Sequence, residues 1–152
     1  MKEIKYISKN AKETQKLGQK IAGRLWDKSW LLLSGELGAG KTCFTQGLAK
    51  GLGITVNISS PTFTLLKIYE EGKMPLYHLD AYRLEAAYQD VGFSDILGLK
   101  GVSVVEWPEF VQALLPDEYL KIDFSFLEAE KRELKITALG DKYTKLLEDL
   151  LC

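Results

Sequence analysis

Apolar residues at every fourth position predict two helices in the first third of the chain. The first lies within SKNAKETQKLGQKIAGRL, where Asn10 is placed to cap the N-terminus and Glu13 stands at the capping-box position. The second is predicted over residues 42–52, and the glycines within 51–53 mark its end. The apolar positions that define these helices are Leu17, Ile21 and Leu25 in the first and Phe44, Leu48 and Leu52 in the second.

Short apolar runs and alternating runs predict the strands. WLLLSG and VSVVEW are apolar on both faces, as central strands of a parallel sheet are. YLKIDFSFLE and RELKITALG alternate apolar and polar positions and resemble an antiparallel pair. The remaining predicted elements are strands around residues 4–7, over 62–69 and over 75–80, a mixed segment over 85–100, a helix from Pro108 through Leu114 and a final helix over 141–151. This order predicts an α/β fold with a mostly parallel central sheet and additional antiparallel strands.

Composition and charge favour a single soluble domain over residues 1–152. The net charge is −1 and the 17 lysines are spread along the chain, so we expect no direct nucleic-acid patch, and any RNA contact is expected to run through a partner. No apolar run approaches the length of a membrane span or a signal peptide, which favours a cytoplasmic location. Cys43 and Cys152 lie far apart in the sequence, and the chain has a single histidine. We therefore expect free thiols rather than a zinc site or a disulfide.

The stretch GELGAGKT, residues 35–42, matches the pattern G-x-x-x-x-G-K-[ST] in full. In such a loop the glycines let backbone N–H groups curl around a phosphate, and the helix that follows adds its partial positive charge. Lys41 is expected to reach the β- and γ-phosphate oxygens, and the Thr42 hydroxyl is expected to ligate Mg²⁺. The predicted cofactor-binding residues are Glu36, Leu37, Gly38, Ala39, Gly40, Lys41 and Thr42.

Magnesium in such a site takes further help from a carboxylate, usually at the end of a neighbouring strand. Glu106 ends VSVVE and Asp80 ends PLYHLD, so both are candidates, although an acid at a strand end is also a common helix cap. Thr62 in SSPTF follows a proline and is a candidate sensor of the γ-phosphate, as switch segments are. A β-branched residue that starts a strand explains Thr62 equally well, and the residues alone leave both interpretations open.

Three further residues are interpreted as structural. His78 alternates with Tyr77 and Leu79 and is expected on a strand face, Trp107 is expected in the core, and Cys43 is expected to face away from solvent as inert packing.

Five motifs coincide in order and spacing, namely GELGAGKT, SSPTFTLL, LYHLDAYRL, VSVVEWPE and the late KRELKITALG. Together they resemble the TsaE family (YjeE-type), the bacterial P-loop ATPases of tRNA threonylcarbamoyladenosine (t6A) biosynthesis. The resemblance covers nearly the whole chain and implies a single-domain, three-layer P-loop NTPase-like fold with ATP and Mg²⁺ as cofactors. It also implies partnership with the TsaD and TsaB proteins. In that system TsaD is credited with threonylcarbamoyl transfer to adenosine 37 of tRNAs that read ANN codons, and the TsaE-like subunit hydrolyses ATP to support turnover of the complex.

The resemblance also assigns roles to individual residues. It makes Glu106 the Walker-B-like acid, SSPTF the switch that contains Thr62, and Asp80 part of an H-x-D-x-Y-R pattern near the nucleotide and the partner surface. The implied catalytic residues are Lys41, Thr62, Asp80 and Glu106, and the implied metal ligands are Thr42 and Glu106. No arginine finger is obvious among Arg24, Arg83 and Arg132. Arg83 is the best internal candidate, and a finger from a partner, or none, is equally open.

The leading interpretation is an ATPase that is weak alone and stimulated by its partners. A small-molecule kinase is one alternative, but such enzymes close a lid with clustered arginines, and the three arginines here are scattered. The other alternative is a nucleotide-gated binding module, in which ATP orders SSPTF for docking and hydrolysis is not required.

Overall fold

A mixed sheet of seven strands organises the residues that the computed structural model describes, which are 1–36, 38–59, 65–82 and 92–151. The strands are β1 (Lys2–Ser8), β2 (Ser29–Ser34), β3 (Leu66–Tyr69), β4 (Leu76–Asp80), β5 (Val102–Glu106), β6 (Tyr119–Phe126) and β7 (Arg132–Leu139). The helices are α1 (Ala11–Ala22), α2 (Lys41–Gly51) and α3 (Asp141–Leu150), and short 3₁₀ helices cover Phe93–Asp95 and Pro108–Leu114. The α/β class predicted from the sequence is confirmed.

The strand order across the sheet is β1-β7-β6-β2-β5-β4-β3. The four adjacent strands β6, β2, β5 and β4 are parallel, whereas β1, β7 and β3 join the sheet through antiparallel pairs. The predicted antiparallel pair is therefore β6 and β7. Because the four central strands run the same way, their carboxyl ends meet at one edge of the sheet, where ligands bind in open α/β folds.

Helix α1 begins where the capping residues predicted it to begin. The Asn10 side chain accepts a hydrogen bond from the Glu13 N–H at 2.9 Å, and the Glu13 carboxylate in turn accepts one from the Lys9 N–H at 3.1 Å. Leu17 and Ile21 then face the core. A side-chain hydrogen bond from Gln15 to Gln46 also ties α1 to α2.

Alternate residues of β2 point into two different cores, which makes the fold three-layered. Leu31 and Leu33 pack with α1, α2 and α3 on one face of the sheet. Leu32 and Trp30 pack on the other face, against the two 3₁₀ helices. Full burial of one leucine side chain contributes about 1.5–3 kcal/mol, so the apolar run of β2 is stabilised from both sides.

Two predicted elements differ from the structure. The helix predicted from Pro108 is a 3₁₀ helix, and it is interrupted at Val111, whose backbone is not helical (φ −135°, ψ 38°) and whose buried side chain packs into the second core. The strand predicted over 62–69 begins at Leu66 because Leu65 has a left-handed backbone (φ 64°), and residues 60–64 lie outside the described residues. Of the mixed segment predicted over 85–100, residues 85–91 also lie outside them.

Among the described residues, no helix is both long enough and apolar enough to cross a lipid bilayer. Cys43 is a free thiol, and Cys152 lies outside the described residues.

Candidate functional site

The glycine-rich loop lies between β2 and α2 and presents the open N-terminus of that helix. Gly40 is the N-cap and has a left-handed backbone (φ 111°), and within the described part of the chain no side chain caps the helix. The amides of the first turn have no partner within the helix and carry its partial positive charge, so they form a ready anion site. This geometry fits the phosphate loop that the sequence predicts.

The loop also requires glycine at its first position. Gly35 has φ 148°, and a Cβ there would lie 2.8 Å from the carbonyl oxygen of Phe124 on β6. Further along, the Ala39 N–H donates to the Glu36 carbonyl at 3.0 Å, which closes a turn within the loop. Leu37, which belongs to the predicted phosphate contacts, lies outside the described residues.

Lys41 turns its ammonium group towards the end of β5. Its Nζ lies 3.6 Å from Oε1 of Glu106 and 4.8 Å from the centroid of the Trp107 ring. The side chain is only 7% exposed. A carboxylate and an aromatic face therefore hold this buried lysine side chain inside the cavity.

Glu106 has a second partner that the sequence did not indicate. Its Oε2 lies 2.5 Å from Nε2 of His78, and both side chains are buried. Burial on its own raises the pKa of Glu106, but the hydrogen bond and charge of His78, together with the charge of Lys41, hold that pKa below its usual range. Glu106 is therefore an anion in the absence of nucleotide.

Asp80 lies directly beside Glu106, since the two residues are paired in the register of β4 and β5. Asp80 is buried, and its Oδ1 accepts a hydrogen bond from the Tyr82 N–H at 3.0 Å. Two carboxylates thus end neighbouring parallel strands, as their positions in the sequence predicted.

These groups surround one cavity of about 470 Å³. Its lining is formed by Glu36, Gly38, Gly40, Lys41, Thr42, Cys43, Asp80, Tyr82, Glu106 and Trp107. The structure therefore brings together most of the predicted site residues that it describes. Thr62 and Arg83 lie outside the described residues. Of the arginines within them, Arg24 donates to the Lys20 carbonyl and Arg132 to two carbonyls of the β6–β7 turn, and neither lines the cavity.

Comparison with known proteins places this arrangement in a family. The family described as "Threonylcarbamoyl adenosine biosynthesis protein TsaE" matches residues 8–134. The chain belongs to the TsaE family. This confirms the resemblance that the sequence motifs carried.

Relatives of this TsaE-family chain match it over almost its full length. It is 41% identical over 150 residues to the tRNA threonylcarbamoyladenosine biosynthesis protein TsaE of Bacillus subtilis, which spans 99% of this chain and 95% of that protein. It is 40% identical over 135 residues to the protein of the same name from Treponema pallidum, which spans 88% and 99%. The crystal structure of YdiB from Bacillus subtilis superposes with a TM-score of 0.85 at 37% identity, covering 99% of this chain and 95% of that chain.

Three residues interpreted as structural contribute to the site of this TsaE-family chain. His78 contacts Glu106, and because it lies two residues before Asp80 on β4, strand alternation would have placed both on one face. Trp107 is half-buried and lines the cavity because its left-handed backbone (φ 57°) turns the chain as β5 ends. The prediction for Cys43 was wrong: its side chain is half-buried and lines the cavity, since it lies in the first turn of α2 beside the loop.

The oxygen donors of this TsaE-family cavity fit a magnesium ion held jointly with a phosphate. The Thr42 hydroxyl and the carboxylates of Asp80 and Glu106 are hard oxygen ligands, which Mg²⁺ prefers. Across the described ranges, no three His, Cys, Asp or Glu side chains form a group that could hold a metal by themselves. Mg²⁺ in phosphate sites is usually bound by one or two carboxylates plus the phosphates themselves, so this donor set suits that ion.

Proposed function

We propose that this chain is an ATP-binding and ATP-hydrolysing subunit required for t6A modification at position 37 of tRNAs that read ANN codons. Its hydrolysis supports turnover of a TsaD–TsaB complex in the cytoplasm, and residues 1–152 form its single P-loop ATPase domain. The observation that carries the proposal is one cavity in which an open helix N-terminus, a buried lysine and two strand-end carboxylates converge, in a chain of the TsaE family. The curated relatives are named for tRNA threonylcarbamoyladenosine biosynthesis, which supports the biological role.

Nucleotide binding exchanges the partner of Lys41. In the free protein its ammonium faces Glu106 and the Trp107 ring, and a triphosphate on the loop offers it a more highly charged partner. The loop amides of residues 36–42 hold the phosphate oxygens together with Lys41. Thr42 and Glu106 are the residues that would hold Mg²⁺, and the ion would neutralise part of the phosphate charge.

The carboxylates orient the attacking water. Glu106 keeps its hydrogen bond to His78 when Lys41 moves to the phosphate, so its carboxylate stays fixed and ionised beside Asp80. Lys41 and the loop amides stabilise the charge that develops on the leaving phosphate oxygens. Thr62 remains a predicted γ-phosphate sensor. Among the described residues, no arginine lines the cavity, and this fits an arginine that a partner supplies.

The biochemical test is phosphate release from ATP by the purified chain, alone and with TsaD and TsaB. We expect weak Mg²⁺-dependent hydrolysis that EDTA abolishes and that the partners raise. Glu106→Gln should lower kcat by about 100-fold or more while ATP still binds. The exposed neighbour Glu109 offers a matched control, since Glu109→Gln should hydrolyse ATP at the wild-type rate.

The biological test is depletion of the protein followed by nucleoside analysis of tRNA for t6A. Unchanged t6A would overturn the assignment to tRNA modification and leave the ATPase intact. If Glu106→Gln binds ATP, does not hydrolyse it and still supports full t6A formation, the chain is a nucleotide-gated binding module. Transfer of the label from γ-³²P-ATP to an acceptor other than water would instead identify a kinase.

A further inference from the structure

An exposed aromatic ring lies beside the phosphate loop, outside the set of residues that line the cavity. Phe126 is the last residue of β6, and its side chain is 46% exposed. A Cβ built on Gly38 of the loop would lie 3.9 Å from Cζ of this ring. Because β6 runs parallel to β2 and next to it, Phe126 ends at the same edge of the sheet as the loop. The phosphate loop therefore has an open aromatic surface on its β6 side.

The ring is held in place by Arg132, which is its partner across the β6–β7 pair. Cζ of the guanidinium lies 4.6 Å from the ring centroid. The guanidinium itself is fixed, since Nη1 donates to the carbonyls of Ala129 and Lys131 at 2.9 Å each. An aromatic ring with a fixed cation against it is preorganised for stacking and loses little side-chain entropy when a ligand binds.

The positions of the carboxylates indicate how a nucleotide would be oriented in the cavity. Glu106 and Asp80 end β5 and β4, which lie on one side of β2, whereas β6 lies on the other side. If the γ-phosphate end of a nucleotide faces the carboxylates, the end that carries the base points across the loop, away from β5. Phe126 stands on that side.

We infer that Phe126, braced by Arg132, is the stacking platform for the base of the bound nucleotide and thereby determines its affinity for nucleotides over inorganic phosphates. This inference rests on the proposed nucleotide-binding function. Every base has a π-face, so the platform raises the affinity for a nucleotide whichever base the nucleotide carries. A single exposed apolar side chain needs no ligand to explain it, but this one lies beside the phosphate loop and packs against a cation.

Isothermal titration of the full chain with ADP, ATP and inorganic triphosphate tests the inference. In wild type we expect ATP and ADP to bind more tightly than inorganic triphosphate. Phe126→Ala should weaken ATP and ADP binding by about 5- to 150-fold, the range that loss of a base–aromatic stack produces, and should leave triphosphate affinity unchanged. Phe126→Tyr keeps a ring of the same shape and should bind ATP within about 2-fold of wild type. Ile68 is similarly exposed (43%) on the distant edge strand β3, so Ile68→Ala is the matched control.

Three results would overturn the inference. One is unchanged ATP affinity in Phe126→Ala, and another is an equal loss for ATP and triphosphate, which would mean that the ring acts by shaping the loop. The third is a wild type that binds triphosphate as tightly as ATP, which would leave the phosphate site standing without a base platform. A wild type that binds neither ligand would instead overturn the proposed function, and this inference with it.

Discussion

Nε2 of His78 lies 2.5 Å from Oε2 of Glu106, and both side chains are buried at the end of the central sheet. Because the Glu106 carboxylate is ionised and can only accept hydrogen bonds, Nε2 of His78 carries the proton and donates it. The bond fixes one carboxylate oxygen, while Oε1 remains directed to Lys41. His78 thus positions Glu106 whether or not Lys41 is engaged elsewhere.

Replacement of His78 should show how much this hydrogen bond contributes to the free energy of unfolding. His78→Ala leaves a buried carboxylate oxygen without its donor, so the free energy of unfolding should fall by about 1–3 kcal/mol. His78→Gln retains an N–H donor on a chain of similar reach and should lose less. Urea denaturation of the three proteins at one pH makes the comparison. Equal losses in the two variants would mean that an N–H donor at this position does not stabilise the protein.

The Glu106 carboxylate should make stability depend on pH. Burial raises its pKa, but the bond to His78 and the nearby charges more than offset this, so the folded-state pKa lies below that of an ordinary glutamate. A lowered folded-state pKa contributes stability above the unfolded-state pKa, and that contribution is lost as pH falls through the folded-state pKa. The advantage of wild type over Glu106→Gln in urea denaturation should therefore shrink between about pH 7 and about pH 3. A constant difference across this range would contradict the ion pairing.

The sequence predicted the parts of the site that follow from strand ends and from one motif. The phosphate loop follows from its glycine spacing, and the pairing of Asp80 with Glu106 follows from two apolar strands that each end in an acid. The carboxyl ends of parallel strands meet at one edge, so these acids had to lie near the loop once both strands joined the central sheet.

The residues missed depend on contacts that a one-dimensional pattern does not encode. The contact of His78 depends on which strand lies beside β4, and that neighbour, β5, comes more than twenty residues later. The place of Trp107 depends on a left-handed turn, which is uncommon for a bulky residue and leaves no signal in hydropathy. The interruption after Pro108 likewise occurs at Val111, whose side chain packs in the second core.

Lys41 should be required for tight nucleotide binding. A hydrogen bond to a charged group contributes about 1.5–3 kcal/mol, so Lys41→Met should weaken ADP binding by about 10- to 150-fold. Lys50 lies on the same helix but is exposed near its other end, so Lys50→Met is the matched control and should bind as wild type does. Isothermal titration calorimetry measures both. Wild-type affinity in Lys41→Met would show that the ammonium does not contact the phosphates.

Glu71 should titrate below the usual range of a glutamate. The backbone N–H and hydroxyl of Thr55 and the N–H of Val56 all donate to its Oε1, and these bonds lower the pKa of the exposed carboxyl. Thr55→Val removes the hydroxyl but keeps the backbone donor, so the pKa should rise part of the way. Carbon-13 NMR titration of the side-chain carboxyl measures it in both proteins. An unchanged value in Thr55→Val would mean that the backbone donors alone set the pKa.

Gly47 should resist replacement although it lies within a helix. Alanine is favoured over glycine by about 1 kcal/mol in helix interiors, yet a Cβ on Gly47 would lie 2.0 Å from the carbonyl oxygen of Gln15, where the backbones of α1 and α2 touch. Gly47→Ala must push the helices apart and should lower the free energy of unfolding by about 1–3 kcal/mol. Since α2 begins at the phosphate-loop lysine, ADP affinity should fall as well. Gly23 follows α1 and has its nearest neighbour at 3.6 Å, so Gly23→Ala should keep both properties, as denaturation and calorimetry can show. A Gly47→Ala protein as stable as wild type would mean that α1 and α2 can separate without a loss of stability. The close contact between the two helices would then not fix the position of α2 next to the phosphate loop.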